Sequence, residues 1–287
     1  MPPRESAVVA GAAGGFGRLF SKLLADAGFE VVGVDLEPEP SGSGLAAFLR
    51  SDATQPDAAL RERARQIACL VLCLPEQAAL TAIELLGPGL RPDALLVDTL
   101  SVKTPVVAAI QAARPRAEAL SLSPLFGPDL GLAGGNVAAV SVYGGPHSDA
   151  FLELLRSHGA CVSIVTAAEH DRHAAATQVA THAALLAFGI CLERLDYAPD
   201  PALATPLHRA LLSLLARVVA HDPEVYRRIQ CDNPYGDEAR ALLAQALAEL
   251  DERIAGQPAF EELFAMLGRL IEPVQVESLE RAERMLR

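Results

Sequence analysis

The spacing of hydrophobic positions changes character part-way along the chain. From Ala7 onward they gather in short apolar runs: one beginning at Ala7, one ending at Asp35, and others at 69–74, 95–98, 119–122 and 137–142. Loops or helix-like stretches separate these runs. The first run leads through a glycine-rich turn and a helical pattern ending at Ala27 and Gly28 into the second, which predicts a βαβ unit. Repetition of that alternation predicts a mainly parallel sheet with helices on both faces.

From Thr166 onward every pattern is helical. Thr166-Ala167-Ala168-Glu169 has capping-box spacing, in which hydroxyl and carboxylate satisfy the free backbone donors of a helix start. Asp200-Pro201 and Thr205-Pro206 place a capping residue before a proline at the first helical position, and Gly256 with Pro258 marks a further break. The chain is therefore expected to be an α/β protein with a Rossmann-type doubly wound domain over 1–165 and an all-α domain over 166–287. The apolar faces of 239–250 and 260–271 exceed what one helical hairpin covers, so the second domain is expected to form a homodimer.

At 287 residues the length suits two domains of roughly 150 residues each. A net charge of -12 without clustered Lys or Arg argues against a nucleic-acid partner. Cys69, Cys73, Cys161, Cys191 and Cys231 show no metal-ligand or CxxC spacing and read as reduced thiols of a cytoplasmic protein, with no metal. No apolar run of the roughly 18 residues a membrane span needs is counted, and no membrane partner is expected.

The turn Gly11-Ala12-Ala13-Gly14-Gly15-Phe16-Gly17 lies between the first strand and the first helix. Missing Cβ atoms there permit a tight turn and let the backbone approach a pyrophosphate at the positive end of the helix. Gly11, Gly14, Gly15, Phe16 and Gly17 are thus candidate cofactor residues, with an ordinary tight turn as the plain alternative. Asp35 ends the second strand 18 residues after Gly17, where a carboxylate accepts hydrogen bonds from ribose hydroxyls and repels a 2′-phosphate. NAD is therefore expected rather than NADP. Leu74 and Pro75 close another strand on the same sheet edge and join the cofactor candidates.

Further segments carry a resemblance. Asp98-Thr99-Leu100-Ser101-Val102-Lys103, then Pro124-Leu125-Phe126-Gly127-Pro128-Asp129, then Glu169-His170-Asp171 with Gln178 and His182, and finally Arg217, Asp222-Pro223 and Tyr226 follow in an order that resembles the prephenate dehydrogenase family, over nearly the whole length. The resemblance implies NAD-dependent oxidative decarboxylation of a small cyclohexadienyl acid. It places Ser101 near the substrate's C4 substituent and the nicotinamide, Arg217 on a substrate carboxylate, and His182 in support of that contact. A planar guanidinium suits a carboxylate through two parallel hydrogen bonds. Lys103 either caps a helix or braces the loop.

One position departs from the family. Members ordinarily carry histidine immediately before the PxFGPD proline, where it assists deprotonation of the C4 hydroxyl; this chain has Ser123. A serine hydroxyl is too weak a base near neutral pH to replace imidazole. An amine at C4 already holds the lone pair that assists hydride departure, so the favoured substrate is 4-amino-4-deoxyprephenate, giving 4-aminophenylpyruvate, with Ser123 hydrogen-bonded to the amino group. Prephenate or arogenate oxidation, with the base supplied by His147, His170 or His173, stays open as the alternative. Another two-domain hydroxyacid or imine reductase and an inactive NAD-sensing homologue are further readings.

Overall fold

The computed structural model describes residues 5–200 and 202–286, so Pro201 of the Asp200-Pro201 cap lies outside the described residues. The chain forms two compact units, 1–172 and 173–287.

The first unit is built on one eight-stranded sheet in the order β3-β2-β1-β4-β5-β6-β7-β8. Its strands are β1 (Ser6–Ala10), β2 (Glu30–Asp35), β3 (Ala47–Arg50), β4 (Cys69–Leu72), β5 (Leu95–Asp98), β6 (Glu118–Pro124), β7 (Asn136–Tyr143) and β8 (Cys161–Ile164). The first six run parallel, β7 turns antiparallel to β6, and β8 runs parallel to β7. Because successive side chains of a strand point to opposite faces, the same strands feed two cores. Val8, Ala10, Val32, Val34, Leu70, Leu72 and Leu96 pack on one face beneath α2 (Ala58–Gln66), α3 (Glu76–Leu86) and α4 (Lys103–Ala113). Ala7, Val9, Val31, Val71, Leu95, Val97 and Leu120 pack on the other beneath α1 (Gly15–Asp26) and α5 (Pro146–Ser157). Strands buried on both faces read as continuous apolar runs, which is why they were visible in the sequence.

The chain leaves β1 toward β2 on one side and later returns to place β4 on the other, so β1 and β4 flank a switch point. In such sheets a crevice opens beyond the carboxyl ends of the strands, and ligands bind there.

The second unit is helical. It begins within the continuous helix Ala167–Arg194, which comprises α6 (Ala167–Ala174), whose residues through Arg172 belong to the first unit, a π-helical stretch (Ala175–Ala180) and α7 (Thr181–Arg194). That helix is followed by α8 (Pro206–Val219), α9 (Pro223–Asp232), α10 (Gly236–Ile254), α11 (Gln257–Ile271) and α12 (Gln275–Leu286). The Thr166 capping box forms as expected: Thr166 N–H donates to Glu169 Oε2 at 2.8 Å, and Glu169 N–H donates to Thr166 Oγ at 3.2 Å. Thr205 caps α8 by accepting from His208 N–H. Against the sequence boundary at 165/166, the first unit extends through Arg172. Asp171, on the first turns of α6, caps α4 and ties that stretch to the sheet.

The expected lack of a spanning-length apolar run needs correction. The helix Ala167–Arg194 is long and apolar enough to cross a membrane by length and composition, with a mean hydropathy of 1.5 over its apolar stretch. Uncharged polar residues such as Gln178, Thr181 and His182 break up the run to the eye without making it hydrophilic.

Candidate active site

The carboxyl ends of β1, β2, β4, β5 and β6 carry, in turn, the glycine-rich turn, Asp35, Cys73-Leu74-Pro75, the Asp98–Lys103 segment and Ser123. Gly11 takes a φ of +81°, and a Cβ there would lie 2.1 Å from the Cys73 carbonyl oxygen. A Cβ on Gly17 would lie 1.9 Å from the Gly11 carbonyl oxygen, and one on Gly15 would lie 2.5 Å from the Pro128 ring. Gly14, the residue preceding α1, is less constrained, its added Cβ meeting Gly11 O at 3.3 Å. The absent Cβ atoms thus allow β1, the β4 end and α1 to close on one another, with no side chain from the glycines themselves in front of the first α1 amides. That is the cradle a dinucleotide pyrophosphate requires.

Asp35 is held at the turn. Its Oδ2 accepts from Ala13 N–H at 2.8 Å and its Oδ1 from Glu37 N–H at 3.0 Å. Each carboxylate oxygen keeps capacity for a further donor such as a ribose hydroxyl. Leu74 approaches the position of a Gly11 Cβ to 3.4 Å, and Pro75 immediately precedes α3. Phe16 packs edge-on against Phe126 at 6.1 Å between ring centres, so the glycine turn and the Pro124–Asp129 segment form one contact surface.

Ser101 is half-buried two residues before α4. Lys103 settles its own role: its Nζ is fully buried and donates to Asp98 Oδ1 at 2.9 Å, Ser121 Oγ at 2.9 Å and the Leu122 carbonyl at 2.6 Å. All three ammonium protons are therefore used, tying the end of β5 to β6 immediately before Ser123. Burial lowers the Lys103 pKa, and the Asp98 carboxylate opposes that shift.

Asp171 stands behind this loop, a residue to which the sequence assigned no function. Its Oδ1 and Oδ2 accept from Lys103 N–H and Thr104 N–H, each at 2.7 Å, and Oδ1 also lies 2.8 Å from His170 Nδ1. Burial raises its pKa, but the hydrogen bonds from His170, Thr104 and Lys103 outweigh burial and hold it below the usual carboxylate range. An anion on the first amides of α4 also meets the positive end of the helix.

Ser123, 1% exposed, sits on β6 beside Pro124, and its hydroxyl has no imidazole partner among the described residues. His147 cannot serve it. That residue lies at the start of α5, its backbone N–H bonded to Glu118, the first residue of β6, at the opposite end of the strand from Ser123. Five residues of strand separate the two ends by about 16 Å. His173 is exposed and lies in the second unit. His170 is 4% exposed, oriented by Asp171, with its Nε2 buried and unpartnered. Beside the turn, burial pushes the Cys73 thiol up to about 12, which favours its protonated form.

In the second unit His182 stands on α7, edge-on to Tyr226 of α9 at 4.9 Å, with Nδ1 buried and unpartnered. Burial lowers its pKa, which keeps the ring neutral near pH 7. Gln178, one turn earlier on the π-helical stretch, likewise has a buried Oε1 without a partner. The π geometry leaves the Val179 carbonyl to accept from Gln230 Nε2 at 2.9 Å. Arg217 is exposed on the last turn of α8, without an ion pair among the described residues. The structure therefore gathers Ser101, Ser123 and the cofactor candidates on one sheet edge, pairs His182 with Tyr226, and leaves the Arg217 side chain unpartnered.

Comparison with known proteins gives the chain's relatives. Family models described as prephenate dehydrogenase, nucleotide-binding domain, and prephenate dehydrogenase, dimerization domain, match residues 20–143 and 166–269. The chain is 40% identical over 267 residues to a 4-amino-4-deoxyprephenate dehydrogenase of Streptomyces pristinaespiralis, covering 91% of this chain and 89% of that one. It is 32% identical to the T-protein of Enterobacter agglomerans over 79% of this chain and 57% of that longer protein. The fold matches the crystal structure of prephenate dehydrogenase from A. aeolicus in complex with hydroxyphenyl propionate and NAD+, with a TM-score of 0.74 at 19% identity over 97% of this chain and 98% of that one. It also matches Synechocystis arogenate dehydrogenase, with a TM-score of 0.63 at 18% identity over 96% and 99%.

Proposed function

We propose, because this chain belongs to the prephenate dehydrogenase family, that it oxidatively decarboxylates 4-amino-4-deoxyprephenate to 4-aminophenylpyruvate with NAD. The observation that carries the substrate choice is Ser123, a buried hydroxyl without an imidazole partner where the chemistry of a C4 alcohol calls for a base. The 40% identity to a dehydrogenase named for the amino compound supports the same choice.

Bound over the glycine turn, with Asp35 on its ribose, NAD supplies the hydride acceptor. The C4 amine, neutral when it reacts, needs no base, since its own lone pair assists departure of hydride from C4. The resulting iminium draws the electrons of the C1–carboxylate bond into the ring, releasing carbon dioxide and leaving a neutral aromatic amine. A C4 alcohol is the weaker lone-pair donor, so its hydride departure is helped by a base that takes the hydroxyl proton as the carbonyl forms and returns it to the phenol product. Ser123 is then a hydrogen-bond partner of the amine rather than a base, and Ser101 lies near the same substituent. His182, neutral, and the unpaired guanidinium of Arg217 are assigned to the substrate carboxylates.

The dimer belongs to the same reading. The second unit pairs with a second copy through the apolar faces of α10 and α11. The five free cysteines suit a reducing cytoplasm.

The test is appearance of reduced nicotinamide with 4-amino-4-deoxyprephenate, prephenate and arogenate supplied in parallel, each with NAD and NADP. The amino compound with NAD is expected to give the highest kcat/KM. Turnover of prephenate at least as efficient would sink the substrate assignment. Ser123→His should raise kcat/KM for prephenate by about tenfold or more, the lower range for a positioned imidazole not evolved for the site.

A further inference from the structure

Asp35 does not stand alone at the adenosine end of the crevice. Arg50 ends β3 in register with Asp35 at the end of β2, and in-register residues of parallel strands project from the same face of the sheet. Its Nε donates to the Leu36 carbonyl at 2.9 Å. On the other side Arg18, in the first turn of α1, donates through Nη1 to the carbonyl of Ala13, the residue whose N–H is bound by Asp35. Both arginines are exposed, and neither pairs with a carboxylate among the described residues. Each guanidinium is thus anchored by one N–H to a backbone carbonyl within a residue or two of the Asp35 contacts. Its remaining N–H groups are left for an anion, since Arg carries five.

We propose that Arg18 and Arg50 form a latent 2′-phosphate subsite, and that Asp35 is the group that keeps phosphorylated dinucleotides out of it. The inference rests on the reading that the glycine turn holds NAD. Two cations flank the point where the ribose 2′-oxygen meets Asp35, and a planar fork matches phosphate geometry. The carboxylate charge opposes any phosphate there. Removing that charge while keeping an oxygen for Ala13 N–H should leave the turn intact and the arginines unopposed.

The experiment is calorimetric titration of the full chain with NAD, adenosine 5′-monophosphate and adenosine 2′,5′-bisphosphate, for the wild type, Asp35→Asn, and Asp35→Asn combined with Arg50→Ala or with Arg18→Ala. The wild type is expected to bind NAD and to prefer the monophosphate. Asp35→Asn should reverse that preference by about tenfold or more, through the lost repulsion, and each added arginine substitution should remove most of the reversal. No reversal in Asp35→Asn, or a reversal that survives undiminished in both of the double variants, overturns the proposal. Asparagine retains an acceptor for Ala13, so a melting temperature close to that of the wild type keeps a negative result interpretable. Absence of NAD binding by the wild type would defeat the cofactor reading itself, a different outcome from NAD binding without reversal.

Discussion

The two units solve the problem of burying apolar surface differently. In the first, Phe20, Leu24, Ile83, Leu96 and Ile110 are fully buried by the sheet's own helices. In the second, Leu203 is 83% exposed, Leu270 74% and Phe264 65%, and among the described residues only Val179, Val218 and Ile229 of its larger apolar side chains are buried. A Rossmann-type half needs nothing outside itself to exclude water, whereas the helical half leaves a core's worth of surface open. The first should therefore behave as an autonomous folding unit, and the stability of the second should depend on protein concentration.

Placing a charge in the open face breaks this contrast most directly. Phe264 and Phe260 pack with tilted rings on one face of α11 at 5.1 Å between ring centres. In a symmetric interface each substitution counts twice. Burying a Phe contributes about 2 kcal/mol, and an aspartate in its place must be desolvated as well. Phe264→Asp is expected to weaken self-association by about a thousandfold, observed by sedimentation velocity across a concentration series, and to make the melting temperature lower and independent of concentration. A wild-type protein that sediments as a monomer at all concentrations would refute the proposed dimer.

A second substitution tests the closed side of the comparison. In Gly17→Ala the new Cβ would lie 1.9 Å from a backbone oxygen, so the turn must shift. In Gly14→Ala the nearest approach is 3.3 Å. Titration with NAD is expected to show a loss of about a hundredfold for the first, a cost of about 2.7 kcal/mol, and under tenfold for the second. Equal losses would mean that the turn is not the cradle.

The same contrast explains what was legible in the sequence. The central strands announced themselves because they are buried on both faces, while β3 and β8, at the sheet edges, carry mixed sequences such as Ala-Phe-Leu-Arg and escaped the pattern. The glycine turn and Asp35 were legible because their chemistry is local. The Asp171 cap spans 68 residues, and its signal, an acid inside a helix pattern, is indistinguishable from an ordinary surface carboxylate. Arg50 was unreadable for a related reason, since its register with Asp35 exists only once β3 is known. Lys103 drew attention through its motif, but three buried acceptors had to be seen before its bracing role could be separated from helix capping.

Asp171 sharpens the comparison with the smallest effect. It holds one buried and one part-buried helix amide and one imidazole, and charge-assisted bonds of this kind contribute about 1.5 to 3 kcal/mol. Because the α4 amides can partly find water, Asp171→Ala should destabilise the first unit by roughly 2 kcal/mol, read as a shift in the denaturation midpoint without a change in slope. The sign with pH follows from its lowered pKa. The stabilisation is fully present above the unfolded carboxylate value of about 4 and is lost as pH falls through the lower folded value. The difference between wild type and variant should therefore be constant near neutrality and shrink in acid. Asp171→Asn, which retains one acceptor but no charge, should fall between them and lose the acid dependence. A gap that stays constant down to strongly acidic pH would show that the carboxylate charge contributes nothing to holding Ser101 and Lys103 in place.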